Sequence, residues 1–373
     1  MYLLYNNSRK LGVYIHVPFC RRRCIYCDFY FEIGQSRSNF ETCVLQEYEA
    51  RKPDDPQNPN TLYFGGGTPS LLSPQAISKL ISGLGLKTQE ITLEANPEDL
   101  SPEYLAQIRE AGVNRLSLGV QSLEDNILQF LGRKHRANQA KQAILDAKKA
   151  GFQRISIDLI IGVRAENLDY LNWFREQNIG HLSVYLLTVE PQTPLYHFIQ
   201  KGRLKAPCED QQADAYIDMQ DKLSRLGYEQ YEISSYALPG QESHHNRIYW
   251  SGGDYLGLGP GAHSKKTHQD GSITRRHTHA LLTEWQQNPS QARFKEESLN
   301  PQEALLESLA FGIRDLKRGI SVAQPTPEFQ SLMQAFIAQN WITRSDQSYQ
   351  LTPIGARFAD AVAREILGLE WAK

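Results

Sequence analysis

The chain has 373 residues, a formal net charge of −2 and 40% hydrophobic residues, typical of a globular protein. That balance gives no overall field for nucleic acid or an acidic membrane surface, so neither is expected as a partner. No apolar run approaches the roughly 20 residues of a membrane span, and Met1–Lys10 lacks the apolar core of a signal peptide.

Strand and helix patterns alternate for more than half the chain. Gly12–Phe19 reads as the first strand, and Asn39–Arg51 as a helix ended by Lys52-Pro53 and a polar loop, Asp54 to Asn60. Thr61–Phe64 is the second strand and runs into Gly65-Gly66-Gly67-Thr68-Pro69. Ser73-Pro74 starts the next helix, with proline where its missing N–H costs nothing. Ile91–Ala95, Arg115–Val120, Arg154–Val163 and His181–Val189 are strands three to six. The helices between them start at Ser101-Pro102 and cover Leu123–Leu131, Ala137–Ala150 and Asn167–Gln177, with a further helix at Asp210–Leu226. Repeated strand then helix argues a parallel sheet with helices outside, α/β in class. Either a doubly wound sheet or an open barrel would fit. The polar and glycine-rich residues cluster at the C-terminal ends of strands, where barrel sites are assembled.

Tyr228–Ala237 reads as one more strand. From His244 to Gly261 turns and short strands are expected, not a helix. Glu303–Leu316 and Pro327–Asn340 are helical, Trp341–Leu351 is a hairpin, and Thr352-Pro353 starts a last helix. Helix, two-stranded wing, helix resembles a winged-helix module. Residues 301–373 hold 7 basic and 8 acidic residues, so this lobe lacks the positive footprint of DNA binding.

The chemistry concentrates in Cys20-Arg21-Arg22-Arg23-Cys24-Ile25-Tyr26-Cys27. Three thiols so close in one loop can converge on an inorganic centre. A structural zinc site wants four protein ligands, and the fourth could lie elsewhere, at His16 for instance. A cubane iron–sulfur cluster normally takes one cysteine per iron, so three cysteines leave one iron open for a small molecule. Core filling is the weakest reading, because a loop with three arginines resists burial. The other cysteines, Cys43 and Cys208, are isolated. This usage points to a reducing compartment, the cytoplasm, rather than a disulfide framework.

The spacing resembles the CxxxCxxC signature of radical S-adenosylmethionine (SAM) proteins. The resemblance implies a partial (β/α)6 barrel, a [4Fe-4S] cluster on Cys20, Cys24 and Cys27, and SAM at the open iron. It extends to the oxygen-independent coproporphyrinogen III oxidases and their relatives through Tyr14–Cys20, Gly65–Pro69, Leu93–Glu98, Arg115–Ser122 and Ile157–Ile160. Carried over by position, Tyr14, Gly66 and Glu94 would touch the SAM, with His16 close by. Tyr26, Gly67, Thr68, Gln121, Arg133 and Asp158 match positions lining a second SAM site. Taken alone, the triple glycine is a turn, and a polar residue in a barrel strand is a structural hydrogen bond as readily as a ligand.

Two features turn the expectation from the oxidase toward the haem-chaperone branch of that family. The oxidase has a fourth cysteine two residues after the third, and Phe29 stands here. His245-Asn246-Arg247-Ile248-Tyr249-Trp250 resembles the HNxxYW motif of HemW-type haem chaperones, and Tyr255–Ser264 also matches. Histidine ligates haem iron and aromatics stack on porphyrin, so His245 is the expected haem ligand and His244 its rival. The resemblance thus implies haem delivery to haem-requiring acceptor proteins. The alternative is oxidative decarboxylation in porphyrin biosynthesis. The sequence leaves the enzymatic question open and is compatible with a homodimer. The domains implied are the barrel (1–235), a connecting segment with the HNxxYW motif (236–300) and a C-terminal lobe (301–373). One departure from the family is Gly162-Val163-Arg164-Ala165-Glu166-Asn167, where the turn after strand five has lost a proline and a glycine.

Overall fold

The computed structural model describes residues 10–52, 59–164, 166–346 and 348–369. Most of the loop expected at Asp54–Asn60, and Ala165, lie outside the described residues.

Six parallel strands run through the first half: β1 (Leu11–Val17), β2 (Thr61–Gly66), β3 (Glu90–Ala95), β4 (Arg115–Gln121), β5 (Arg154–Ile161) and β6 (His181–Leu186). The helices that return the chain start on predictable caps. Ser73 accepts from the Ala76 amide and Ser101 from the Tyr104 amide, each followed by proline. Val13, Ile15, Val17, Leu62, Phe64 and Leu93 are fully or almost fully buried and join one core with helix residues such as Ile77 and Leu105. Each such side chain contributes about 1.5–3 kcal/mol by burial. The intervening residues face the other side of the sheet and include the polar groups that the site uses.

Pro18 ends β1, and Phe19–Cys20 turns away to pair in parallel with Glu32–Ile33. The cysteine loop therefore leaves the barrel wall at its C-terminal end. The two ends of the sheet do not pair with each other among the described residues, so the barrel is open.

The second half departs from expectation in three ways. The strand expected over Tyr228–Ala237 is a short hairpin, Glu229–Gln230 against Ser235–Ala237, on the far edge next to β6. The stretch expected as turns is a helix, His244–Trp250. Ser243 caps it by accepting from the Asn246 amide, a start signal passed over because glycines follow so soon. Beyond it, β7 (Asp254–Leu258) pairs in parallel with β1, and β8 (His263–Thr267), β9 (Ile273–Thr278) and β10 (Phe294–Leu299) continue outward to make a sheet of twelve strands. These strands carry charged and histidine side chains rather than alternating apolar ones, so their period was hidden.

The C-terminal residues form a separate core, with Ile313, Phe329, Met333 and Val362 fully buried. Helices Pro301–Gly312, Pro327–Ala338 and Ala359–Leu367 pack with a three-stranded sheet that includes the hairpin Ile342–Ser345 and Ser348–Leu351. Lys317 bridges to Glu229 and Glu242, and Arg357 donates to Gln220, fastening this lobe to the barrel.

Candidate cofactor site at the barrel mouth

A cavity of about 1310 Å³ runs through the barrel and opens at the cysteine loop. Cys20, Cys24 and Cys27 line one end as free, half-buried thiols. Burial pushes the Cys20 thiol up to about 11, with the Thr68 hydroxyl at 3.4 Å pulling the other way, and burial raises Cys27 as well. Thiols held so reluctantly as anions need a cation to become ligands. Among the described residues, no three His, Cys, Asp or Glu side chains group as a single metal ion requires. A cubane asks for less convergence, since each thiolate meets its own iron.

The three arginines that make the loop hard to bury are its fastenings. Arg21 pairs with Asp99 at 2.9 Å, and Ser70 donates to the same carboxylate. Arg22 donates to the Gly132 carbonyl, and Arg23 to the Gln192 carbonyl at 2.8 Å. The loop is thus tied to the segments following β3, β4 and β6. Sequence reading saw only their charge.

Tyr14, His16, Gly66, Gly67 and Thr68 sit together beside the loop. Gly66 has φ +106°, and a Cβ there would lie 2.7 Å from the His16 ring. A Cβ on Gly67 would meet the Phe19 carbonyl at 2.8 Å. Glycine is required at both. His16 Nε2–H donates to the Tyr30 carbonyl at 2.9 Å, leaving Nδ1 to accept from the Tyr14 hydroxyl at 3.3 Å. Burial lowers His16 to about 4, so its ring is neutral.

Glu94 and Asp158 face the cavity from β3 and β5. Burial and the charge of Asp158 raise Glu94 to about 7, although the Tyr63 hydroxyl (2.8 Å) and the Gly66 amide (3.3 Å) donate to it. Burial raises Asp158 to about 6 against hydrogen bonds from Ser183 and Ser117. Asp158 feels Arg115 and Arg133, whereas Glu94 has donors but no cation partner among the described residues. Gln121 ends β4 at a bulge with φ +68°, strain of the kind that gathers where a side chain is aimed at a ligand.

Arg133 donates to Asn96, to the Gly119 carbonyl and, at 3.7 Å, to Cys24 Sγ. Burial would lower its pKa, but Tyr26, Cys24 and Glu98 outweigh it and hold the guanidinium charged. Burial also raises the Tyr26 phenol. Arg133 Nε and Thr92 Oγ1 line the cavity without a hydrogen-bond partner among the described residues. Thr92 and Tyr185, also on the lining, carried no motif and were missed, and Asn96 and Glu98 lay inside the Leu93–Glu98 motif without being assigned to the site. Period-two alternation on β3 alone would have exposed Thr92, two residues before Glu94.

His245 is not in this site. It is 1% exposed, and its ring nitrogens hydrogen-bond Thr61 Oγ1 (2.7 Å) and Tyr249 OH (2.8 Å). Its ring stacks on Tyr63 at 4.8 Å, and burial lowers its pKa to about 3. In this arrangement it has no free lone pair for an iron, contrary to its expected role. Its helix turns Asn246 instead toward the cavity. The backbone amides of His244 and His245 donate to buried Glu90, which Arg115 and Arg154 neutralise. The altered turn after β5 keeps Gly162 at φ +75°, and the next helix begins at Tyr170, later than expected.

A family profile described as the radical SAM superfamily matches residues 14–176, the span carrying the thiols and both buried carboxylates. The Escherichia coli structure of coproporphyrinogen III oxidase (HemN), a radical SAM enzyme, shares the fold at TM-score 0.77 and 19% identity, over 96% of this chain and 90% of that one. Fold and site together define a radical SAM protein, a class that works with a [4Fe-4S] cluster and SAM. Heme chaperone HemW of Bacillus subtilis is 41% identical over 266 residues, covering 68% of this chain and 70% of that protein. HemW of Mycobacterium tuberculosis is 34% identical over 381 residues, covering 97% and 96%. The chain belongs to the HemW family. The residues present fit the class's cofactors: free thiols at one end, unpartnered polar atoms along the wall, and a buried Glu94 carboxylate without an ion-pair partner among the described residues. No helix among the described residues is long and apolar enough to cross a membrane.

Proposed function

We propose that this chain is a cytoplasmic haem chaperone that holds a [4Fe-4S] cluster through Cys20, Cys24 and Cys27, binds SAM and haem, and hands haem to haem-requiring acceptor proteins. The observation that carries the reading is the mouth itself: three free thiols beside a cavity in which the buried Glu94 carboxylate makes no ion pair among the described residues. A reduced cluster, when bound, supplies the electron that can cleave the SAM sulfonium.

The chain's own residues set up that chemistry. Glu94 accepts from Tyr63 and Gly66, and a bound cationic ligand supplies the missing counter-charge, drawing its pKa back down. Tyr14 fixes His16 in its neutral tautomer beside the glycine turn. Gly67, Thr68, Tyr26, Gln121, Arg133 and Asp158 line a region deep enough for a second occupant. The cavity volume of about 1310 Å³ exceeds the roughly 300–1,000 Å³ of an ordinary small-ligand site. Phe29, at the oxidase's fourth-cysteine position, is 71% exposed and offers no donor atom, which favours a carrier over an oxidase. The haem part rests on the relatives named haem chaperones.

The test is a haemin titration of the reconstituted protein in the Soret band, with coproporphyrinogen turnover assayed on the same samples. Saturable binding without turnover is expected. Turnover without saturable haemin binding would make the chain an oxidase.

A further inference from the structure

If haem binds, its iron needs a side chain with a free lone pair. His245 has none. His16 and His135 use both ring nitrogens, and His181, whose Nδ1 is unpartnered among the described residues, is only 2% exposed. The outer strands of the sheet offer a different pair. His263 on β8 and His277 on β9 are direct cross-strand partners, and their rings lie parallel with centroids 4.1 Å apart and planes 5° apart. His263 is exposed and His277 half-buried. Neither ring makes a hydrogen bond to a described residue.

The pair lies on strands that continue outward from the cavity wall. Tyr63, which lines the cavity, is the partner of Tyr14, and Tyr14 is the partner of Gly257. Gly257 lies against His263, whose carbonyl a Cβ at Gly257 would meet at 2.0 Å. Beyond the pair, His277 is the partner of Lys295 on β10. Registered partners point to the same face. From His263 the ladder runs through His277 to Lys295, so two imidazoles and an ammonium stand in one row. Strand spacing puts His263 about 10 Å from Lys295 along that row. Lys295 is exposed and has no acidic partner among the described residues, whereas Arg275 and Arg276 on β9 are paired with Glu297 and Glu296. An iron ligand with an unpaired cation two strands away matches a porphyrin, whose iron sits at the centre and whose carboxylates hang from one edge.

Resting on the haem reading above, we propose that His263, backed by the stacked His277 ring, ligates the haem iron, with Lys295 pairing with a haem propionate. Haem then lies on the open edge of the sheet, accessible to an acceptor, while the cluster stays at the mouth.

The test is a haemin titration of the cluster-reconstituted protein, read by Soret position and by EPR of the ferric iron. The variants are H263A/H277A, K295E and H245Q. The double variant is expected to lose the histidine-ligated spectrum and to bind about tenfold or more weakly, while keeping its cluster absorbance. K295E should bind about threefold more weakly with an unchanged spectrum, because only a surface charge pair is lost. H245Q should keep the wild-type Soret position. A double variant with wild-type spectrum and affinity overturns the proposal. If H245Q alone loses the spectrum, the iron belongs on the motif helix and the haem reading stands. If the wild type shows no saturable binding, the haem reading itself fails.

Discussion

The cysteine loop and the helix at His244–Trp250 were both flagged by short residue patterns, and they differ in what their side chains have left to give. At the loop, three thiols are half-buried and free of disulfides, with only long contacts from Thr68 and Arg133, and Arg133 Nε and Thr92 Oγ1 line the same cavity without partners among the described residues. At the helix, both His245 ring nitrogens and its backbone amide are satisfied, and Tyr63 covers its ring. Unused bonding capacity, more than the motif, separates a site that waits for a ligand from a plug that seals the barrel.

Predictions follow this contrast from its strongest edge. Cys24→Ala should abolish the cluster, measured as iron and acid-labile sulfide per chain, while circular dichroism stays native, because Cys24 is only half-buried. Unfolding of that variant without denaturant would place the thiol in the core instead. His245→Ala should do the reverse. Losing two buried hydrogen bonds and a stacked ring costs about 2–4 kcal/mol, read by urea denaturation, with cluster content unchanged. A stability loss below measurement would show that the ring is not the plug described here.

Glu94→Gln should weaken SAM binding about ten- to a hundredfold in a calorimetric titration, since a charge-assisted contact becomes a neutral one. Equal affinity would move the ammonium contact off Glu94. The helix region should also be the acid-labile one. His245 and His16 titrate near 6.5 when unfolded but only at about 3 and 4 when folded. The folded chain therefore refuses protons that the unfolded chain accepts, and the stability they contribute is lost as pH falls from 6.5 toward 4. Glu94 and Asp158, raised to about 7 and 6, act in the opposite direction, so the readout is a difference. The melting temperature of His245→Gln should fall less between pH 7 and pH 5 than that of the wild type. Equal falls would mean that the ring is not shielded. The smallest effect is expected from Arg21→Ala. Its side chain is 56% exposed, so stability should change by less than about 1 kcal/mol, yet cluster loss to a chelator should quicken as one fastening goes. Unchanged loss kinetics would reduce Arg21 to a surface charge.

Much of the first half was legible because each strand carried an apolar run and several helices a Ser-Pro start or a glycine stop. The cysteine loop, the glycine turn, Glu94 and Asp158 were legible because their residue types are costly or unusual at those positions. What stayed hidden has physical reasons. β8 to β10 carry mostly charged and polar residues, so no hydrophobic period marks them. Thr92 is an ordinary strand residue until the register puts it on the cavity wall. The seal around His245 depends on Thr61, Tyr63 and Glu90, more than 150 residues earlier, a contact no local pattern contains.

The most direct test of the central claim is EPR of the anaerobically reconstituted, reduced protein before and after adding SAM, with metal and acid-labile sulfide measured on the same sample. The account predicts a [4Fe-4S] signal that changes when SAM binds the open iron. Zinc without sulfide, or a cluster signal indifferent to SAM, would contradict it.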